Sequence, residues 1–133
     1  MLKEWMTQLG KEAGMDAPFL QEANGAYLMA IDDERGLRLE EGMGIHFFCR
    51  LRPLPEKEER VLSEMMLANL MGQGTQGAVL GLSEDGQDIY LRDLKALSDY
   101  AQFMEAFRTF LQVIDFWVEE IDLILAGDAT KAP

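Results

Sequence analysis

The sequence predicts an α+β fold in the order α-β-β-β-α-β-β-α, an antiparallel sheet packed against helices. Three observations predict it. Apolar residues recur with helical period at both ends and once in the middle, and the stretches between them alternate apolar with polar. Gly-, Asp- and Pro-bearing turns divide these stretches from one another. With 133 residues the chain is expected to form one domain over 1–126, followed by a flexible tail at 127–133. A globule of this size buries roughly two-thirds of its unfolded surface, enough for a core without metal or disulfide.

The first helix spans 2–13, with Leu2, Met6 and Leu9 on one face and Trp5 beside them. Gly10 and Gly14 weaken its end, and Pro18 follows. Residues 26–31 read as a strand, and Asp32, Asp33, Glu34, Arg35 and Gly36 as a solvated turn. Leu37 to Glu40 alternates, and 45–51 alternates again with Ile45, Phe47, Cys49 and Leu51 on one face. Three short strands joined by tight turns form an antiparallel meander. Pro53 and Pro55 end it, because proline cannot donate to a ladder.

A second helix is expected over 56–71, with acidic residues in its first turn, at the positive end of the helix dipole. Its second half, Met65-Met66-Leu67-Ala68-Asn69-Leu70-Met71, is apolar nearly all round and needs cover on more than one side. A glycine-bearing connection, 72–77, leads to a hairpin of strands 78–82 and 88–91. The final helix, 99–125, carries Phe103, Phe107, Phe110, Ile114, Trp117, Ile121 and Leu125 on one broad stripe, most of it core. Phe116 and Leu123 fall on the back of that helix and point to a contact patch.

Charge narrows the function. Against 12 Lys and Arg stand 24 Asp and Glu, a net charge of −12 that repels nucleic-acid backbones and anionic lipid. Direct nucleic-acid binding and membrane insertion are not expected, whereas a basic protein partner would be attracted. The most apolar segment is interrupted by Glu105, Arg108, Asp115, Glu119, Glu120 and Asp122, which opposes a membrane span. A single cysteine, Cys49, fits a reducing compartment, and residues 1–5 do not read as a secretory signal. A cytoplasmic location is expected.

No catalytic constellation emerges. His46 and Cys49 lie three apart on one strand and so face opposite ways, which prevents a thiol–imidazole dyad. One His and one Cys do not make a transition-metal site without carboxylates, and no EF-hand spacing surrounds Asp32, Asp33 and Glu34. The glycines of 72–77 lack the lysine and the strand-to-helix setting of a phosphate loop; they read as a flexible helix end entering the hairpin. Neither enzyme activity nor a cofactor is expected. The nine methionines serve two ends, core filling for half or more and an adaptable surface for the rest. Met65, Met66 and Met71 are best buried by a second subunit.

The run Leu67-Ala68-Asn69-Leu70-Met71-Gly72-Gln73-Gly74, then Gly77-Ala78-Val79-Leu80-Gly81-Leu82, Ile89-Tyr90-Leu91 and the aromatic last helix resembles the class I type III secretion chaperones, the Tir-chaperone-like family. The resemblance spans nearly the whole chain. It implies a dimer joined through the second helix and following strand, here Leu67, Leu70, Met71, Val79 and Leu80. Homodimer and heterodimer with a second chaperone both remain open. It also implies a client, the N-terminal region of a secreted effector or secretion regulator, kept soluble and export-competent. Strand addition and side-chain pockets would hold that client, and the resemblance places Trp5, Leu9, Leu28, Phe48 and Phe116 there. The alternative is a regulatory binding protein of the same fold that sequesters a transcription or signalling factor.

Overall fold

The computed structural model describes residues 1–56, 59–72 and 74–131. Its elements are α1 (Leu2–Glu12), β1 (Leu20–Gln21), β2 (Tyr27–Ala30), β3 (Gly36–Glu41), β4 (Ile45–Pro53), α2 (Glu59–Met71), β5 (Val79–Leu82), β6 (Asp88–Lys95) and α3 (Tyr100–Lys131). All strands join one antiparallel sheet in the order β1-β2-β3-β4-β6-β5. The expected meander is β2-β3-β4 and the expected hairpin is β5-β6. They fuse into a single sheet because β6 pairs with β4 along its length.

The structure extends the expected elements at three places. A strand, β1, precedes the meander. The last strand runs to Lys95 rather than Leu91. The last helix continues to Lys131, through most of the segment expected as a tail, and residues 132–133 of that segment lie outside the described residues.

Local chemistry sets the element ends. Gly14, at φ +72°, lets the chain reverse after α1, and the Met15 N–H returns to the Gly10 carbonyl at 2.9 Å. Asp32 accepts the N–H groups of Glu34 and Arg35 at 2.8 and 2.7 Å and pairs with the Arg35 side chain, closing the β2–β3 turn. Asp99 caps α3 by accepting the Gln102 N–H at 2.8 Å, while Gln102 accepts the Ser98 N–H at 2.8 Å.

The inner sheet face carries Leu37, Leu39, Ile45, Phe47, Cys49, Leu51, Leu80, Ile89 and Leu91, all buried. The helices cover this face. On α3, Phe103, Phe107, Phe110, Ile114, Trp117 and Ile121 are buried as the stripe predicts; Val113 and Ile124 join them, and Leu125 is half-buried. Each large side chain so enclosed contributes roughly 1.5–3 kcal/mol. An aromatic series crosses the core: Trp5 stacks on Phe103 with ring centres 5.4 Å apart, Phe103 on Phe47 at 6.3 Å, and Phe47 meets Phe110 at 5.4 Å. Helix α1 is thereby fixed to α3 and the sheet.

Helix α2 is only partly covered. Val61, Met65 and Ala68 are buried, so Met65 is covered by its own chain and not by a second subunit as expected, whereas Met66, Leu67, Leu70 and Met71 are exposed. Its Asn69 side chain reaches β5, accepting the Leu80 N–H at 2.9 Å and donating to the Leu80 carbonyl at 2.8 Å. Four methionines, at 6, 29, 65 and 104, pack in or against the core, and the other five are exposed, so core filling accounts for fewer than half.

Candidate functional site: two uncovered apolar surfaces

The sheet and helices leave apolar side chains in solvent at two separate places. The first is the free side of α2. Leu70 is 81 % exposed, Met66 72 %, Met71 59 % and Leu67 54 %, which is unusual for large apolar residues on one helix. Helix α2 has to carry this face because its sequence offers apolar residues at successive positions, and one helix can bury only one side. Phe116 of α3 adjoins it. Leu67, Ala68 and Met71 line a groove of about 360 Å³ with Gly74, Phe116 and Trp117.

The floor of this surface is tied down. The indole N–H of Trp117 donates to the Gly74 carbonyl at 2.8 Å, across the connection between α2 and β5. Gly74 has φ +78°, and a Cβ there would stand 3.0 Å from the Phe116 ring. A glycine is required at this point both for the backbone turn and for the approach of the ring.

The second surface is the outer face of the sheet, left uncovered by the helices. Strand pairing sets Leu20, Leu28, Arg38, Phe48, Arg92 and Val79 in one row from β1 to β5. Phe48 meets Tyr90 with ring centres 4.6 Å apart. Beside them a depression of about 610 Å³ is lined by Arg38, His46, Phe48, Val79, Arg92 and Leu94, among others. Leu20 and Leu94 are exposed, at 69 % and 52 %. Two basic groups of this face are held in ion pairs: Arg38 lies 3.3 Å from Glu22, and Arg50 lies 2.8 Å from Asp88.

The residues expected at the subunit seam divide. Leu67, Leu70, Met71 and Val79 are exposed, and Val79 ends the outer-face row at the sheet edge. Leu80 is 3 % exposed because it alternates inward, so its side chain belongs to the core. The residues expected to grip a client are not gathered in one place. Leu28 and Phe48, both half-buried, share the outer-face row. Phe116 stands beside α2. Trp5 is buried against Phe103, and Leu9 packs at the margin of the core, so the structure gives α1 a packing role. A further groove of about 480 Å³ lies between α1 and the segment 15–19, lined by Met6, Phe19 and Tyr27 and flanked by Lys3 and Lys11. Tyr90, Arg92, Leu94 and Leu20 were not singled out as outer-face residues by the sequence. The signal for the three on β6 was the same alternation that identified the core, read on its opposite phase, and Leu20 had none.

Cys49 lies wholly within the inner face and His46 is exposed on the outer one. Burial pushes the Cys49 thiol up to about 11, so it is protonated at neutral pH. Among the described residues, no helix is long and apolar enough to cross a membrane.

A Chlamydia pneumoniae protein, CPj0713/CpB0740, is 24 % identical over 127 residues, spanning 92 % of this chain and 98 % of the relative. Solved structures share the architecture. A chain of the ExsC–ExsE complex superposes with a TM-score of 0.73 at 13 % identity, covering 89 % of this chain and 91 % of the other. A chain of the HopA1–SchA chaperone–effector complex gives 0.69 at 18 % identity, with 89 % and 93 % covered. One from the heterodimeric ExoU–SpcU complex of the Pseudomonas aeruginosa type III secretion system gives 0.64 at 14 % identity, with 90 % and 96 % covered. At these identities the likeness establishes the fold. Residues 4–118 match the family model of the Tir chaperone proteins, and the chain therefore belongs to the Tir chaperone protein (CesT) family.

Proposed function

We propose that this protein is a type III secretion chaperone that binds the N-terminal region of a secreted effector or secretion regulator and keeps it soluble and export-competent. The observation that carries the reading is the separation of two uncovered apolar surfaces on a chain of the chaperone family. One surface joins subunits and the other holds a client. The free side of α2, with Leu67, Leu70 and Met71, serves as the seam of a homodimer or of a heterodimer with a second chaperone. The outer face, with Leu28 and Phe48, takes an extended segment by apolar contact. Both events take place in the bacterial cytoplasm, before export.

Co-expression with secreted proteins encoded beside its gene tests the proposal. The expected result is a soluble complex that survives when the partner is cut down to its N-terminal region and is lost when that region is removed. Failure to bind the N-terminal region of any secreted protein of the same cell would sink the reading. The net charge of −12 favours a second role, sequestration of a basic transcription or signalling factor. Competition between such a factor and the secreted client for the purified chaperone separates a shared surface from independent ones.

A further inference from the structure

The sheet ends in two edges, β1 and β5. In an antiparallel ladder, alternate residues of an edge strand give both backbone groups to the neighbouring strand, and those between turn theirs outward. Outward groups of this kind are a template for a further strand, from a client or from a second copy.

At the β5 edge the first half of that template is occupied. Leu80, paired with Leu91 of β6, turns its N–H and carbonyl away from the sheet, and Asn69 of α2 takes both, at 2.9 and 2.8 Å. A carboxamide carries one acceptor and two donors side by side, so it offers an edge residue what the next strand would offer. Two residues earlier, the Ala78 N–H is held by the Thr75 carbonyl at 2.9 Å. Two successive outward donors, at 78 and 80, are thus unavailable to an incoming strand. Asparagine is a weak helix former because its side chain competes for backbone groups. On α2 that reach is directed across to another element. At the opposite edge, both residues of β1 are exposed.

We infer that Asn69 is the specificity-determining residue that closes the β5 edge to strand addition. A second copy then meets this end of the protein through the side chains of α2, and not through a continuous sheet. The inference deepens the proposed dimeric chaperone, but edge closure is a property of this chain alone and its test needs no client. Failure to find a client would leave the result below unchanged.

The test replaces Asn69 by Leu, which keeps its size and removes both hydrogen bonds, and in a second variant by Ser. Amide exchange at Leu91 and Phe47 reports the core, and exchange at Leu80 reports the edge. The expected result is an intact core, Leu80 exchange faster by about tenfold as befits a lost hydrogen bond, and concentration-dependent growth beyond the wild-type mass with thioflavin T fluorescence. A folded Asn69→Leu protein with Leu80 exchange at the wild-type rate would overturn the inference. So would faster exchange with unchanged mass, since the edge would then be open without accepting a strand. Loss of the fold in both variants would also overturn it, by making Asn69 a residue of general stability.

Discussion

The indole N–H of Trp117 donates to the carbonyl of Gly74 across 2.8 Å, and this bond sets the connection after α2 against α3. Trp117 is buried and Gly74 half-buried, so the bond lies at the base of the apolar surface that Leu67, Met71 and Phe116 form above it. Trp117→Phe keeps an aromatic ring and removes the donor, which should cost about 1–3 kcal/mol. Gly74→Ala should destabilise as well, because φ is +78° and the added carbon would meet the Phe116 ring at 3.0 Å. Urea unfolding midpoints measure both. An unchanged midpoint in Trp117→Phe would mean that water replaces the indole without loss.

Leu70 and Leu80 make opposite predictions from the same chemistry. Leu70 is 81 % exposed, so Leu70→Asp should leave the single chain folded, within about 0.5 kcal/mol. At the proposed seam the new carboxylate would be buried without a partner, and the dimer should dissociate to folded monomer. Leu80→Asp, at a buried position, should unfold the chain itself. Light scattering with circular dichroism separates the two; a Leu70→Asp dimer of unchanged mass removes α2 from the seam.

Period made part of this protein legible and tertiary placement concealed the rest. Ile45, Phe47, Cys49 and Leu51 alternate without interruption, and the α3 stripe repeats over several turns, so both were readable. Strand β1 has two residues, too few for any period. The end of β6 was hidden because Asp93 sits opposite Phe47 on the inward phase, where its charge is met by Lys95 at 3.4 Å. Trp5 illustrates a different limit. A tryptophan on an amphipathic helix suits a core or a groove equally, and only the position of Phe103 decides between them. The bonds from Asn69 to Leu80 depend on where α2 lies against the sheet edge, which no local pattern encodes.

Glu41 links the start of α1 to β3 and should make that link sensitive to acid. Its carboxylate accepts the Leu2 N–H at 2.8 Å and lies 3.3 Å from the Met1 ammonium. The Leu2 N–H foremost, with the ammonium in support, holds its carboxyl below the usual 4.5. A carboxylate with a depressed folded value stabilises above the unfolded value, and that contribution is lost as pH falls through the folded one. Wild type should therefore exceed Glu41→Gln in melting temperature at pH 7, with the gap closing as pH falls from 4.5 through the lowered folded value. Amide exchange at Leu2 follows the α1 end directly. A gap independent of pH would show that the carboxylate charge contributes nothing.

Cys49 should be inert while the chain is folded. Its thiol is buried and pushed up from 9.0 to about 11, so little thiolate exists at pH 8 and a reagent has no access. Ellman's reagent should react at the rate of global unfolding, and at full speed in denaturant. The same shift gives a sign in alkali. Above 9.0 the unfolded thiol ionises while the folded one retains its proton, so this group's contribution to stability falls as pH rises from 9.0 toward 11. Rapid reaction of the native protein at pH 8 would contradict the burial.

On the proposed reading, Phe48 and Phe116 should separate client binding from subunit assembly. Phe48 stands half-buried on the outer sheet face against Tyr90, with ring centres 4.6 Å apart, whereas Phe116 is exposed beside α2 and stacks edge-on with Trp117. Truncation of a large aromatic at the centre of an interface commonly costs at least about 2 kcal/mol, close to thirtyfold in affinity. Phe48→Ala should lower client affinity by that order and leave the dimer intact. Phe116→Ala should weaken the dimer and affect the client only as far as binding requires two subunits. Calorimetry with the client's N-terminal segment and sedimentation of each variant read the two effects independently. Loss of client affinity in Phe116→Ala with an intact dimer would move the client from the outer face to the α2 surface.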